Sequence, residues 1–251
     1  MTKLRLPDVT LVAVDTASHD LTRMALEECT AKADFGDVLV FSDKHILPGS
    51  QWHFVEPLTL EGATRAYWYL VPQAVRTSHF LIIHHDSWVL DAGSWDDAFL
   101  TYDYIGAPWW YGDDRNVGNG GFSLRSVSLM QRVARDPQDF PFSMPEDDAL
   151  CRRHRAVLEA EGYRWAPNHV AMCFSRERVV PFDADGYPIK TFGFHGMFLW
   201  PDVLTDEQIG ARLAVAPDHV LNHVHFQQMS DLLKARGRAL RARSGAQVYA
   251  A

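Results

Sequence analysis

The sequence predicts an α/β fold organised around a parallel sheet, and three observations predict it. First, Val-Thr-Leu-Val-Ala-Val at 9–14 is a short apolar run ending in Asp15-Thr16, and 37–41 repeats the pattern before Ser42-Asp43. Apolar runs of this length bounded by polar residues suit strands buried on both faces. Second, the intervening stretch 21–32 carries Leu21, Met24, Ala25 and Cys29 at helical spacing. The opening therefore reads strand, helix, strand, the βαβ unit of a parallel sheet. Third, an aromatic-rich helical stretch over 64–75 leads into His-Phe-Leu-Ile-Ile at 79–83, which ends in His84-His85-Asp86. Three strand ends then deliver polar groups to one crevice, where open α/β sheets hold their ligands.

The second half is less regular. Residues 102–108 predict a short strand closed by Pro108, and 119–125 a glycine-opened strand leading into a helix over 128–134. Pro145, Glu146, Asp147 and Asp148 have the composition of a first helical turn, and that helix is expected to run through Glu161. Residues 169–175 predict another strand, and Phe192-Gly-Phe-His-Gly196 a turn. From Asp218 the chain reads as helix ending in Lys234, Arg236, Arg238, Arg241 and Arg243. A solvated terminal helix is the plain reading of that basic end, and contact with an acidic membrane surface or a partner is the other. Without repeats or a long linker, the expected organisation is one domain over 1–217 and a helical extension over 218–251.

Composition excludes several classes of function. At 251 residues the chain is long enough to bury a full core, and 24 Lys plus Arg against 32 Asp plus Glu give a net charge of −8. That balance argues against nucleic-acid binding through bulk charge. Cys29, Cys151 and Cys173 are widely spaced, which indicates neither a disulfide framework nor a thiolate zinc site. The first residues lack an apolar leader and no run approaches the ~18 apolar residues of a membrane span, so a cytoplasmic protein is expected, peripheral to the inner face of the membrane if its basic end binds lipid. The 12 His and 8 Trp are high for this length and hint at a site.

Four groups of residues could carry chemistry. His84 and Asp86, two apart on a strand, would share a face and offer a nitrogen and an oxygen ligand to a divalent ion, with His85 facing away; ordinary polar residues at a strand end are the alternative. The glycine-rich stretch at 118–123 lacks the spacing of a phosphate-binding loop and reads as a tight turn near a ligand. Glu146, Asp147 and Asp148 are either helix-start charge or the source of a general base. His195, flanked by Phe194 and Gly196, could complete a metal site with His84 and Asp86. A competing histidine cluster comprises His219 and His223, one helical turn apart, and His225; it lacks the Glu of a metalloprotease helix.

Taken together, Tyr104-Ile-Gly-Ala-Pro-Trp109, Val117-Gly-Asn-Gly-Gly-Phe-Ser-Leu-Arg-Ser126, Pro145-Glu-Asp147, Cys151-Arg152 and Phe192-Gly-Phe-His-Gly196 resemble a bacterial family of unassigned glycosyltransferase-like domains. The resemblance runs from Val9 to Gly196 and points to the GT-A class of nucleotide-sugar-dependent enzymes. It implies a Rossmann-like sandwich with a central mixed, mostly parallel sheet. It places Asp15, Thr16, Ser42 and Asp43 at the nucleoside, and Gly120, Gly121 and Trp109 around the donor sugar and acceptor. Asp86 matches the last acid of the metal-holding Asp-x-Asp motif, His84 departs from its first, and His195 matches a late histidine ligand; the implied cofactor is Mn²⁺ or Mg²⁺. Glu146 and Asp147 match the pair that supplies the catalytic base, with Asp147 as the base. The implied reaction is inverting transfer from a nucleotide sugar, a UDP-sugar first, to a hydroxyl of a glycan or glycolipid in polysaccharide biosynthesis. Two rivals are a sugar-nucleotide-binding protein without activity and a His/Asp metal-dependent hydrolase.

Overall fold

In the computed structural model, residues 3–113, 115–178 and 190–238 are described. The strands are β1 (Leu4–Val14), β2 (Ala33–Ser42), β3 (Gln51–Phe54), β4 (His79–Ile83), β5 (Ser87–Val89), β6 (Tyr104–Gly106), β7 (Phe122–Ser126), β8 (Ser175–Arg176) and β9 (Gly193–His195). Six of them form one sheet in the order β3-β2-β1-β4-β7-β6, in which only β7 runs against the rest. A second sheet, β5-β9-β8, stands beside it. This is an α/β sandwich with a central mixed, mostly parallel sheet.

The apolar runs of the central strands are continuous because both faces are covered. Leu11 and Ala13 of β1 and Leu81 and Ile83 of β4 point into one core; Val12, Val14, Phe80 and Ile82 point into the other. The first core is closed by the helix His19–Lys32 through Leu21, Ala25, Leu26 and Cys29, and by Trp88 and Phe194 of the second sheet. The other is closed by Tyr67 and Trp68 of the helix Leu60–Tyr69, by Leu129, Met130 and Val133 of the helix Val127–Arg135, and by Leu150 and Leu158. Ser126 starts the Val127 helix by accepting a hydrogen bond from Leu129 N.

Three expectations are corrected. Residues 169–174 form no strand: the helix Asn168–Phe174 occupies them, opened after Pro167, with burial falling on Ala171, Met172 and Phe174, and only Ser175 is extended, as the first residue of β8. The expected turn at 192–196 holds β9, the middle strand of the second sheet, and Gly193 permits it because a Cβ there would lie 2.2 Å from the Phe122 ring. The helix entered at Glu146–Asp148 is not uniform. It widens into a π turn over Ala149–Arg153, in which His154 N bonds to Ala149 O at 2.9 Å, before continuing as Arg155–Ala160.

The C-terminal region from Asp218 is two helices, Asp218–Leu221 and Val224–Ala235, and it joins the first core through Val220, Met229 and Leu233. Arg236 and Arg238 are committed within the chain, to Asp202 and to Asp206 respectively, and both donate to Pro201 O. Arg241 and Arg243 lie outside the described residues. Among the described residues no helix is long and apolar enough to cross a membrane. Leu233→Ala is expected to cost about 2–5 kcal/mol, the range for emptying a buried leucine site, in a single unfolding transition followed by denaturant titration; loss of the terminal helices alone in a separate early transition is the opposite result.

Candidate active site

The site is assembled at the carboxyl end of β4. Because β7 is antiparallel to β4, with Phe122 opposite Ile83, the residues entering β7 lie beside those leaving β4. His84 N donates to Gly121 O at 3.2 Å and to Ser87 Oγ at 2.8 Å, and Ser87 Oγ donates to Gly121 O at 2.6 Å. The turn 84–86 is thereby fastened to the glycine loop. Pairing of β5 with β9 then sets His195 opposite Ser87, and Asp86 holds the far side, its Oδ2 accepting from Met197 N at 3.1 Å.

His84, Asp86 and His195 consequently converge, each offering a ligand atom within 4.8 Å of the others. Their convergence comes from a turn and a second sheet rather than from strand alternation, as the spacing suggested. His195 Nε2 lies 3.6 Å from Asp86 Oδ1, and the two imidazoles meet edge to face at 5.5 Å. Gly121 makes room for them: a Cβ there would stand 2.2 Å from His195 Nε2.

Burial and neighbouring charge set the protonation of the three. Burial, reinforced by His195, pushes His84 down to about 3, which leaves a neutral ring with a free nitrogen lone pair. Burial works against ionised Asp86, but His85 and His195 outweigh it and hold the carboxyl well below its ordinary range. His85 is not among the converging ligand atoms. Burial also opposes a charged His195, but Asp86 and Glu177 lift it to about 9. Once His195 gives up its proton to the incoming charge, as a ligand imidazole must, two imidazoles and a carboxylate fit a first-row divalent ion such as Mn²⁺ better than Mg²⁺, which prefers oxygen donors.

On the other side of the loop stands Asp147. Its Oδ2 accepts from Gly120 N and its Oδ1 from Asp148 N, both at 2.9 Å. Burial, together with Glu146, raises its pKa. Glu146, matched by the resemblance to the catalytic pair, is the counter-ion of Arg125: the guanidinium Nη1 and Nη2 donate to its two oxygens at 3.0 and 2.6 Å. Arg125 is fully buried in β7, where its Nε also donates to Ser123 Oγ at 3.0 Å.

The remaining expected residues hold loops at the same sheet edge. Asp15 Oδ1 accepts from Ala17 N and Ser18 N at 2.9 Å, and Thr16 Oγ1 accepts from Leu58 N at 2.8 Å. Ser42 Oγ accepts from Lys44 N at 3.3 Å. Asp43 contacts His19 Nε2 at 2.6 Å, a pairing that lowers its pKa. Trp109 is buried with its ring on Gly118, where a Cβ would come within 2.2 Å. The histidine cluster divides, because the chain breaks helix between Leu221 and Val224. His219 Nε2 meets Ser18 Oγ at 3.0 Å, His223 caps the last long helix, and His225 Nδ1 reaches 3.9 Å from Asp86 Oδ2. Sequence reasoning missed Arg125, Asn119 and Glu177. A lone charge inside the buried strand β7 was a usable signal for Arg125; Glu177 had none.

A family model described as a protein of unknown function (DUF5672) matches residues 68–195, just over half of the chain. No curated protein matches it. Among solved structures, the bifunctional IspDF from Campylobacter jejuni is similar at 10% identity and a TM-score of 0.40, over 57% of this chain and 46% of its own, so the chain spans less than half of that protein. A glycosyltransferase involved in glycosylation of the major capsid of PBCV-1 is similar at 14% identity and a TM-score of 0.46, over 74% of this chain and 91% of its own. The mannosyltransferase PcManGT from Pyrobaculum calidifontis, in complex with GDP-Man and Mn²⁺, is similar at 14% identity and a TM-score of 0.42, over 94% of this chain and 77% of its own.

Glu146→Ala is expected to destabilise the fold by about 3–5 kcal/mol because it leaves Arg125 buried without a counter-ion. The double replacement Arg125→Met with Glu146→Leu should recover much of that loss, and denaturant unfolding of the three proteins compares them.

Proposed function

Because the chain belongs to the DUF5672 family, described only as proteins of unknown function, its activity has to be read from its site, and we propose that it is a glycosyltransferase acting from a nucleotide sugar onto a hydroxyl acceptor. The observation that carries this reading is that a half-buried carboxylate and a His-Asp-His group are held against adjacent residues of one loop. Gly120 N bonds Asp147, and Gly121 packs against His195. Transfer from a sugar diphosphate needs a base for the incoming hydroxyl and positive charge for the departing diphosphate, within one sugar's reach of each other.

Asp147 is the base in this reading. Its raised pKa makes it a better proton acceptor than an exposed aspartate, and the two backbone N–H bonds fix the carboxylate plane while leaving a lone pair on each oxygen. Glu146 and Arg125 act as positioning residues that hold the Asp147 turn to the loop. His84, Asp86 and His195 would hold the divalent cation. When bound, that ion supplies charge stabilisation to the leaving diphosphate. A single displacement by the Asp147-activated hydroxyl inverts the anomeric centre. Asp15, Thr16, Ser42 and Asp43 line the nucleoside end, with a UDP-sugar as the first donor to test, a glycan or glycolipid as the acceptor, and the domain 1–217 as the catalytic unit.

Thermal denaturation with nucleotide sugars, with and without Mn²⁺, tests the reading. A donor at a hundred times its Kd adds about 2.7 kcal/mol to stability. The shift is expected to need Mn²⁺ and to vanish in Asp86→Ala; no shift with any nucleotide sugar overturns the proposal. Asp147→Asn should keep the shift and lower transfer by about 10²–10⁴-fold, measured as release of nucleoside diphosphate with acceptor present. Turnover that ignores the acceptor would instead mark a hydrolase.

A further inference from the structure

We infer that Glu177, backed by Asn119, is the positioning carboxylate of His195, turning the ring so that its Nε2 faces Asp86 and His84. The inference rests on the reading of those three side chains as cation ligands. Strand register brings Glu177 to the ring. β8 pairs in parallel with β9, Ser175 opposite Gly193 and Arg176 opposite Phe194, so the next residue along, Glu177, arrives beside His195.

Glu177 is buried, and its two oxygens have separate duties. Oε2 accepts from Asn119 Nδ2 at 2.6 Å, whereas Oε1 stands 3.3 Å from His195 Nδ1. That second contact has the distance of an ion pair without the alignment of a hydrogen bond, and it acts through charge. Asn119 is itself fixed. It adopts a φ of 58°, a conformation that asparagine tolerates better than most residues, and its Oδ1 accepts from Gly121 N at 3.2 Å. Gly121 in turn packs against the Nε2 edge of the same imidazole. Asn119, Glu177, His195 and Gly121 therefore form a closed ring of contacts that leaves the imidazole one orientation, with Nδ1 toward Glu177 and Nε2 at 3.6 Å from Asp86 Oδ1.

The charge on Glu177 distinguishes this arrangement from ordinary packing. A buried carboxylate is costly unless paired, and among the described residues no lysine or arginine makes an ion pair with Glu177. His195 is its ionisable partner. A neutral glutamine would have served Asn119 equally well. A carboxylate on the far nitrogen of a ligand imidazole fixes the ring and strengthens it as a donor, and its removal typically weakens metal binding 10–100-fold.

The test is calorimetric titration of the full chain with Mn²⁺ alone, at one fixed neutral pH and a temperature where circular dichroism shows every variant folded. Glu177→Gln keeps an acceptor for Asn119 and removes only the charge; Glu177→Ala removes both. The expected result is Mn²⁺ binding weakened about 10-fold in Glu177→Gln and up to about 100-fold in Glu177→Ala, with Glu61→Gln on the surface unchanged. If both Glu177 variants melt earlier but bind Mn²⁺ as tightly as wild type, the residue serves stability alone and the inference fails while the site reading stands. If wild type binds no Mn²⁺, or Asp86→Ala binds it equally well, the site reading fails and takes this inference with it.

Discussion

The ion pair between Arg125 and Glu146 is the constraint on which the site depends. Taking both charges out of water costs several kcal/mol per ion, and the mutual attraction offsets this only with two-point geometry and further hydrogen bonds. Arg125 has both: two bonds to Glu146, a third to Ser123 Oγ, and the face of Tyr104 at 5.1 Å. Ser123 Oγ in turn donates to Gly120 O, and Tyr104 Oη donates to Asn119 O. One buried guanidinium thus fixes the relative positions of β7, the glycine loop and the turn that carries Asp147. Such a pair is weak as a source of net stability; here its contribution is positional, since its partners lie on β7, on the glycine loop and beside Asp147.

The chemistry of the loop follows from where the sheet reverses direction. Ligand sites in open α/β sheets lie beyond the carboxyl ends of strands. A parallel neighbour would carry its own carboxyl end to that edge; β7, being antiparallel, carries its beginning there and leaves backbone N–H and C=O groups of Gly120 and Gly121 exposed to β4's turn. Gly121 O receives His84 N and Ser87 Oγ, while Gly120 N is given to Asp147. Two adjacent peptide groups tie the two halves of the site together, and neither position tolerates a side chain: a Cβ at Gly120 would meet Glu146 Oε1 at 2.8 Å.

Much of the first half of the fold was legible because it is locally encoded. The strand expected at 79–83 is β4 to the residue, and the first βαβ unit appears where apolar runs and helical spacing put it. The second sheet was not legible, because its strands are only two or three residues long and one of its two pairings, β5 with β9, joins residues about a hundred positions apart. The run at 169–175 misled for a related reason: a short apolar stretch carries no periodicity that separates strand from buried helix. Residue chemistry singled out His84, Asp86, His195 and the triplet Glu146, Asp147 and Asp148, within which only the family resemblance pointed to Asp147, yet their placement around one loop is a tertiary fact. Arg125 left a trace as a charge in an apolar strand, but the identity of its partner did not. Glu177 left none, since its burial follows from the register of β8 on β9.

The π turn over Ala149–Arg153 has a consequence for how the helix serves two masters. An α-helix advances about 100° per residue, so the one residue by which a π turn is widened rotates everything beyond it relative to everything before. On the near side the phase is set by Glu146 and Asp147, which must face Arg125 and the loop. On the far side it is set by Leu158, which must face the core, and by Arg155, whose Nε donates to Glu159 one turn on and whose guanidinium lies over Trp165 at 5.2 Å. The widened turn acts as a gear between two fixed phases. Deleting a single residue within it would be felt as a rotation rather than a shortening, turning either the carboxylate out of the cleft or the leucine out of the core.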